Sequence, residues 1–139
     1  MLCTFFGHAD APKEIEPILR KLIINLIETE NVKTFYVGNN GNFDVIVQNI
    51  LHQLSDLYQI QSYLILAYLP KHIDEYILPT LFPEGLEFKP PKFAIDYRNQ
   101  WMINNADYVI TFVNRTVGGS VKFKAIAEKK GKTVINITI

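Results

Sequence analysis

The residues of this chain that are able to do chemistry lie in short turns. Thr34-Phe35-Tyr36-Val37 runs straight into Gly38-Asn39-Asn40-Gly41-Asn42-Phe43-Asp44, so a strand-forming segment meets glycines, asparagines and a carboxylate. Gly38 and Gly41 leave the backbone bare and tolerate positive φ, and Asn40 adds an amide. An anion could sit there, against the free N–H groups that open the following helix. The plainer reading is a connection that needs glycine for steric reasons. A second turn of the same kind, Asn114-Arg115-Thr116-Val117-Gly118-Gly119-Ser120, follows another apolar run, with Ser120 placed to cap the next helix. A third, Gly7-His8-Ala9-Asp10, follows Leu2 to Phe6. None has the spacing of the dinucleotide fingerprint or the P-loop.

Individual side chains add to this. Arg98 could fork onto a phosphate with paired N–H donors, or form an ion pair with Asp96 or Asp107; Asn99 stands beside it. Asp44, in the first turn of a helix, is a capping carboxylate, an acceptor for ribose hydroxyls or a general base, although beside a phosphate it would repel. Glu84 is a candidate substitute carboxylate. His8 could donate to phosphate or titrate near neutral pH, or serve as an ordinary hydrogen-bonded loop histidine. Tyr97 and Trp101 flank Arg98 and could stack on a base or simply pack. No Cys and His cluster has zinc spacing and no serine elbow is present, so no metal and no cofactor is expected.

The elements that must position these groups follow from hydrophobic periodicity. Leu2 to Phe6, Phe35 to Val37, Ser62 to Leu69, Tyr108 to Val113 and Thr133 to Ile137 read as strands. Helices are expected from about Glu14 to Asn31, with Pro17 in the first turn, and after Asp44, along Val47, Ile50, Leu51, Leu54 and Tyr58. Two more run from about Phe93 to Asn105 and from Ser120 to a left-handed stop at Gly131. His52 and His72 are expected at the surface. Pro70 to Pro91, with five of the seven prolines, is a packed excursion or a flap, with a short helix expected at Ile73 to Leu78. Alternating strands and helices predict one three-layer α/β domain over residues 1–139, with a mostly parallel five-stranded sheet in the order 3-2-1-4-5. That order brings the three glycine turns to one rim, at the switch point where ligands of such sheets bind.

Composition bounds the function. With 48% hydrophobic and 20% charged residues over 139 positions, the chain is globular. Fourteen Lys and Arg balance fourteen Asp and Glu, so no overall field draws it to a nucleic acid polymer or an anionic membrane. A single cysteine, Cys3, the lack of an apolar run of membrane-spanning length and the lack of an export signal suit a cytoplasmic protein.

Thr4-Phe5-Phe6-Gly7-His8, the Val37 to Asp44 turn, Tyr97-Arg98-Asn99-Gln100-Trp101-Met102-Ile103 and Gly118-Gly119-Ser120 together resemble the SLOG superfamily, named for the DNA-processing Smf proteins and the Lonely-Guy enzymes. The resemblance covers nearly the whole chain and is nearest to small stand-alone bacterial members. It implies a Rossmann-like fold and a nucleotide-like ligand with its phosphate on the late glycine turn and Arg98 nearby. It also makes a homodimer through helices conceivable, though no apolar stripe demands one. Lonely-Guy phosphoribohydrolases carry Pro-Gly-Gly-x-Gly-Thr-x-x-Glu; here Val117-Gly118-Gly119-Ser120-Val121-Lys122-Phe123-Lys124-Ala125 stands instead. The positions of the third glycine, the Thr and the catalytic Glu hold Val121, Lys122 and Ala125, so that carboxylate does not carry over. Three readings follow: a nucleotide-binding module, an N-glycosidic hydrolase with Asp44 or Glu84 as replacement acid, or an interaction protein whose pocket is blocked by Phe43 or by the 70–91 excursion.

Overall fold

Phe5 and Phe6 are neighbours in sequence and both buried, yet they belong to different cores, because successive side chains of a strand point to opposite faces. Their strand, β1 (Leu2–Gly7), is central in a computed structural model that describes residues 1–69 and 76–139. On the Phe5 side the sheet is covered by α1 (Glu16–Thr29) and α2 (Asn42–Leu54). On the Phe6 side it is covered by α3 (Ala94–Asn105) and α4 (Gly119–Lys129). The expected spacing is what buries Leu19, Ile23 and Leu26 of α1, and each such side chain stabilises the fold by roughly 1.5–3 kcal/mol relative to exposure. Pro17 lies in the first turn of α1, and Asn31, at φ 56°, turns the chain out of the helix.

The remaining strands are β2 (Thr34–Val37), β3 (Gln61–Ile65), β4 (Thr80–Leu81), β5 (Tyr108–Phe112) and β6 (Thr133–Asn136). All pair in parallel, in the order β4-β3-β2-β1-β5-β6, with Cys3 opposite Phe35 on one side and Tyr108 on the other. This is a Rossmann-like three-layer α/β fold. The five expected strands take the expected order, and a sixth extends the sheet. Strand β4 comes from inside the proline-rich stretch: Leu64 and Leu66 donate to the carbonyls of Pro79 and Leu81. Two residues give no periodicity to read, and a proline next to an edge strand disguises it further. Strand β3 ends at Ile65 rather than Leu69, and Tyr68 and Leu69 are exposed.

The first half of the helix expected at Ile73 to Leu78 falls outside the described residues, as does His72; its second half, Tyr76 to Leu78, is not helical. The rest of the excursion is packed in part: Leu86 lies with Ala67 and Ala94 in a small core supported by Phe82, Ile95 and Tyr97, whereas Phe88 and Ile77 are exposed. Among the described residues no helix is long and apolar enough to cross a membrane.

Candidate functional site

The strand order reverses at β1, so the turns that follow β1, β2 and β5 open at the same rim. Between them and α3 lies a cavity of about 400 Å³. Gly7, His8, Gly38, Asn40, Asp44, Arg98, Asn99, Gly118, Gly119 and Ser120, all expected at a site, line it together. Phe6, Ile95, Met102 and Phe123 give it an apolar wall, with the Phe6 and Phe123 rings stacked at 5.5 Å. Arg115 also lines it, a residue to which the sequence reading gave no role although it stands in the quoted turn.

Two expected residues are elsewhere. Gly41 does not line the cavity. At φ 109° it is the N-cap of α2, and a Cβ there would stand 2.5 Å from Ala9 Cα, so its glycine lets two loops touch. The same close approach carries the 2.8 Å bond from Asn42 N–H to the Ala9 carbonyl. Glu84 is not at the cavity either, and its backbone carbonyl accepts from the Tyr97 hydroxyl at 3.0 Å. Tyr97 and Trp101 are occupied in packing, Trp101 stacked on Tyr36 at 5.3 Å. Gly7, though at the rim, is glycine for a steric reason: a Cβ would meet the Phe43 ring at 2.2 Å. Phe43 therefore fills the core beneath Gly7 and does not block the cavity, and no described residue of the 70–91 excursion lines it.

The two long glycine turns, alike in sequence, differ in what they leave open. In the turn after β2, Asp44 reaches back from the first turn of α2 and Oδ2 accepts the Asn40 N–H at 2.8 Å. The protein's own carboxylate thus occupies the position where an anion was expected, in the manner of a capping box. Gln48 Nε2 donates to the Gly38 carbonyl at 2.9 Å and fixes the same turn. In the turn after β5, Gly118 at φ 127° is the N-cap of α4, and no side chain caps that helix. Ser120 is inside the helix rather than at its cap, which corrects the sequence reading. A Cβ at Gly118 or Gly119 would meet no atom within 4 Å. Among the described residues no side chain takes up the amides that open α4, and Gly118, Gly119 and Ser120 line the cavity, with the positive end of the helix dipole behind them.

Arg98 is almost wholly enclosed, at 1% exposure. Nε donates to Asn99 Oδ1 at 3.0 Å, and Nη1 to Asn39 Oδ1 at 3.1 Å and to the Ile65 carbonyl at 3.2 Å. Nε and Nη1 are thus taken up by the protein, Nη2 has no acceptor among the described residues, and the alternative ion pairs are not made. Asp96 pairs with Lys122 at 2.6 Å, and Asp107 accepts the Leu2 N–H at 2.9 Å. Burial pulls the guanidinium pKa down while Asp44 pushes it up. Both side chains crowd Gly38: a Cβ there would lie 3.1 Å from Asp44 Oδ2 and 3.2 Å from Arg98 Cζ. Burial drives the Asp44 pKa up from 3.8 to about 6, against the opposing pull of the Asn40 N–H and the Arg98 charge.

His8 is a positioning residue. Its Nε2 accepts the Asn114 N–H at 3.1 Å, so that nitrogen is unprotonated and cannot donate to a phosphate. Burial, and then the charge of Arg115, lower its pKa, which keeps the ring neutral around pH 7. Asn136 pins the same turn from the other side: its Oδ1 accepts from Thr111 Oγ1 at 2.8 Å and Val113 N–H at 2.9 Å, and its Nδ2 donates to the Val113 carbonyl at 3.1 Å. Arg115 is half exposed at the mouth of the cavity, paired with Asp10 at 2.6 Å.

The site is thus an uncapped helix start and an exposed arginine at one side, and a buried carboxylate with a buried guanidinium at the other. No family model matches the chain, and a comparison with curated proteins finds no match.

Proposed function

We propose that this protein is a cytoplasmic module that binds a phosphorylated, nucleotide-like small molecule at the carboxyl ends of its strands, as a small bacterial member of the SLOG superfamily would. One observation carries the reading: the uncapped, side-chain-free start of α4 opens into the same cavity as the buried Arg98. The phosphate goes to Gly118, Gly119 and Ser120, where amides are free, and Arg115 can leave Asp10 to meet it. It does not go to the turn after β2, where Asp44 already holds the amide and would repel a second anion. The apolar wall of Phe6, Ile95, Met102 and Phe123 suits a base or another flat apolar group.

Calorimetry against mono- and dinucleotides tests this, with Gly119→Asp as the decisive variant. Space is open at Gly119, and an acidic residue in the first turn stabilises a helix by about 0.3–1 kcal/mol, so the variant should fold at least as well as the parent. It should nevertheless lose phosphate-dependent binding. No binding by the parent across the panel, or unchanged binding by Gly119→Asp, refutes the proposal.

A second reading is favoured by one feature, the buried Asp44 with its pKa near 6 in the cavity wall. Such a group can deliver a proton to a departing base in N-glycosidic hydrolysis. Release of free base from nucleoside monophosphates, lost in Asp44→Asn, would establish it; no turnover of any nucleotide removes it.

A further inference from the structure

Asp44 is 8% exposed, and only one of its oxygens is engaged. Oδ2 takes the Asn40 N–H, while Oδ1 has no donor among the described residues. Oδ1 is not sealed off, since among the described residues Ser62 Oγ is the fully enclosed side-chain polar atom without a partner. Its access is through the cavity that Asp44 lines. A buried carboxylate oxygen left facing a cavity gains from a donor brought by the ligand. The donor should be neutral, because Arg98 already supplies a positive charge beside Asp44 at Gly38 and a cationic amine would be repelled by it.

We infer that Asp44 selects the sugar of the ligand: its free carboxylate oxygen accepts from the hydroxyls of a ribose, so the cavity takes ribonucleoside phosphates with the sugar toward Gly38 and the phosphate toward Gly119. The inference rests on the reading above, that the ligand is nucleotide-like, and adds an orientation and a sugar preference. The orientation follows from charge at the two ends of the cavity. A phosphate at the Gly38 end would face the Asp44 carboxylate, and at the Gly119 end it meets unpaired amides.

The test compares AMP with 2′-deoxy-AMP, 2′,3′-dideoxy-AMP and IMP by calorimetry at pH 7.5. The expected result is a loss of roughly tenfold to hundredfold in affinity on removing the sugar hydroxyls, the range for a hydrogen bond to a charged group, with AMP and IMP alike. Asp44→Asn keeps an oxygen for the Asn40 N–H but turns an NH₂ group toward the cavity, and should erase the preference. If that variant fails to fold, the parent supplies a second measurement. The ratio of AMP to dideoxy-AMP affinity should shrink toward one between pH 7.5 and pH 5 as the carboxylate gains its proton. Arg98 from α3, His8 from the turn after β1 and Arg115 from the turn after β5 also face this cavity, which is why the ratio is read rather than either affinity. Equal binding of the ribose and dideoxy forms overturns the inference and leaves the nucleotide reading standing. Discrimination that follows AMP against IMP overturns it too, since Asp44 would then be reading the base. Binding of none of the four removes both.

Discussion

Replacing Asp44 by asparagine should make the protein more stable at neutral pH and no more stable in acid. The carboxyl titrates near 3.8 when unfolded and at about 6 when folded, because burial opposes its charge more strongly than the Asn40 N–H and Arg98 favour it. The folded state therefore holds this proton over a range of pH in which the unfolded state has released it. For an acid whose pKa is raised by folding, the stabilising contribution is fully present below about pH 3.8 and is lost as pH rises through about 6. A difference of about two units corresponds to ~3 kcal/mol. Above pH 7 the ionised carboxylate costs the fold that amount, and asparagine, of the same shape and without charge, does not. Urea denaturation of both proteins at pH 4, 5, 6 and 7.5 should show curves that coincide near pH 4 and separate to about 2–3 kcal/mol at pH 7.5, or a melting temperature roughly 10 °C higher for the variant. An asparagine variant equal to or weaker than the parent at pH 7.5, with no dependence of the difference on pH, would refute the reasoning. It would mean that the two opposing interactions outweigh desolvation and that Asp44 is an ordinary structural carboxylate.

The glycines make a sharper set of contrasts than their sequence suggests. Gly41→Ala meets a backbone φ of 109° and the Ala9 Cα at 2.5 Å, and Gly7→Ala meets the Phe43 ring at 2.2 Å, so each should lower stability by ~2 kcal/mol or more in thermal unfolding. Gly119→Ala meets nothing and should unfold at the parent's temperature. Asn136→Ala removes three bonds that hold the end of β5, and should cost roughly 2–3 kcal/mol and speed amide exchange in residues 113–120 while leaving β2 and β3 protected.

Periodicity was enough to read the body of the fold. Helix spacing placed α1 and α2, the apolar runs placed β1, β2 and β5, and the handedness of parallel connections did the rest. What escaped was set by distances between segments remote in sequence. Strand β4 exists because Leu64 and Leu66 offer N–H groups to carbonyls at Pro79 and Leu81, and nothing local in Thr80-Leu81 announces that. Asn136, at the end of an edge strand, gave no motif, yet it shapes the turn that carries Gly118 and Gly119. Arg98 stood out for its guanidinium and its place in the resemblance, but its three protein acceptors come from α3, the turn after β2 and the end of β3, so the way it is held could not be read from Tyr97-Arg98-Asn99.

The same limit explains why two glycine turns that look interchangeable on paper are opposites in space. In the turn after β2 a carboxylate three residues beyond Gly41 folds back onto the backbone, so the turn comes with its own anion, and the cost is a buried charge. In the turn after β5 no side chain of the described residues folds back, and the glycines that open α4 line the cavity bare of side chains. An internal anion and an uncapped amide cluster on one cavity make a polar axis. A ligand that is negative at one end and offers neutral donors at the other fits that axis in a single direction, whereas a ligand anionic at both ends, or a cation, fits it in neither. Stability alone would favour an uncharged residue at position 44, so retaining the carboxylate there makes physical sense chiefly when a ligand's hydroxyls complete its hydrogen bonding.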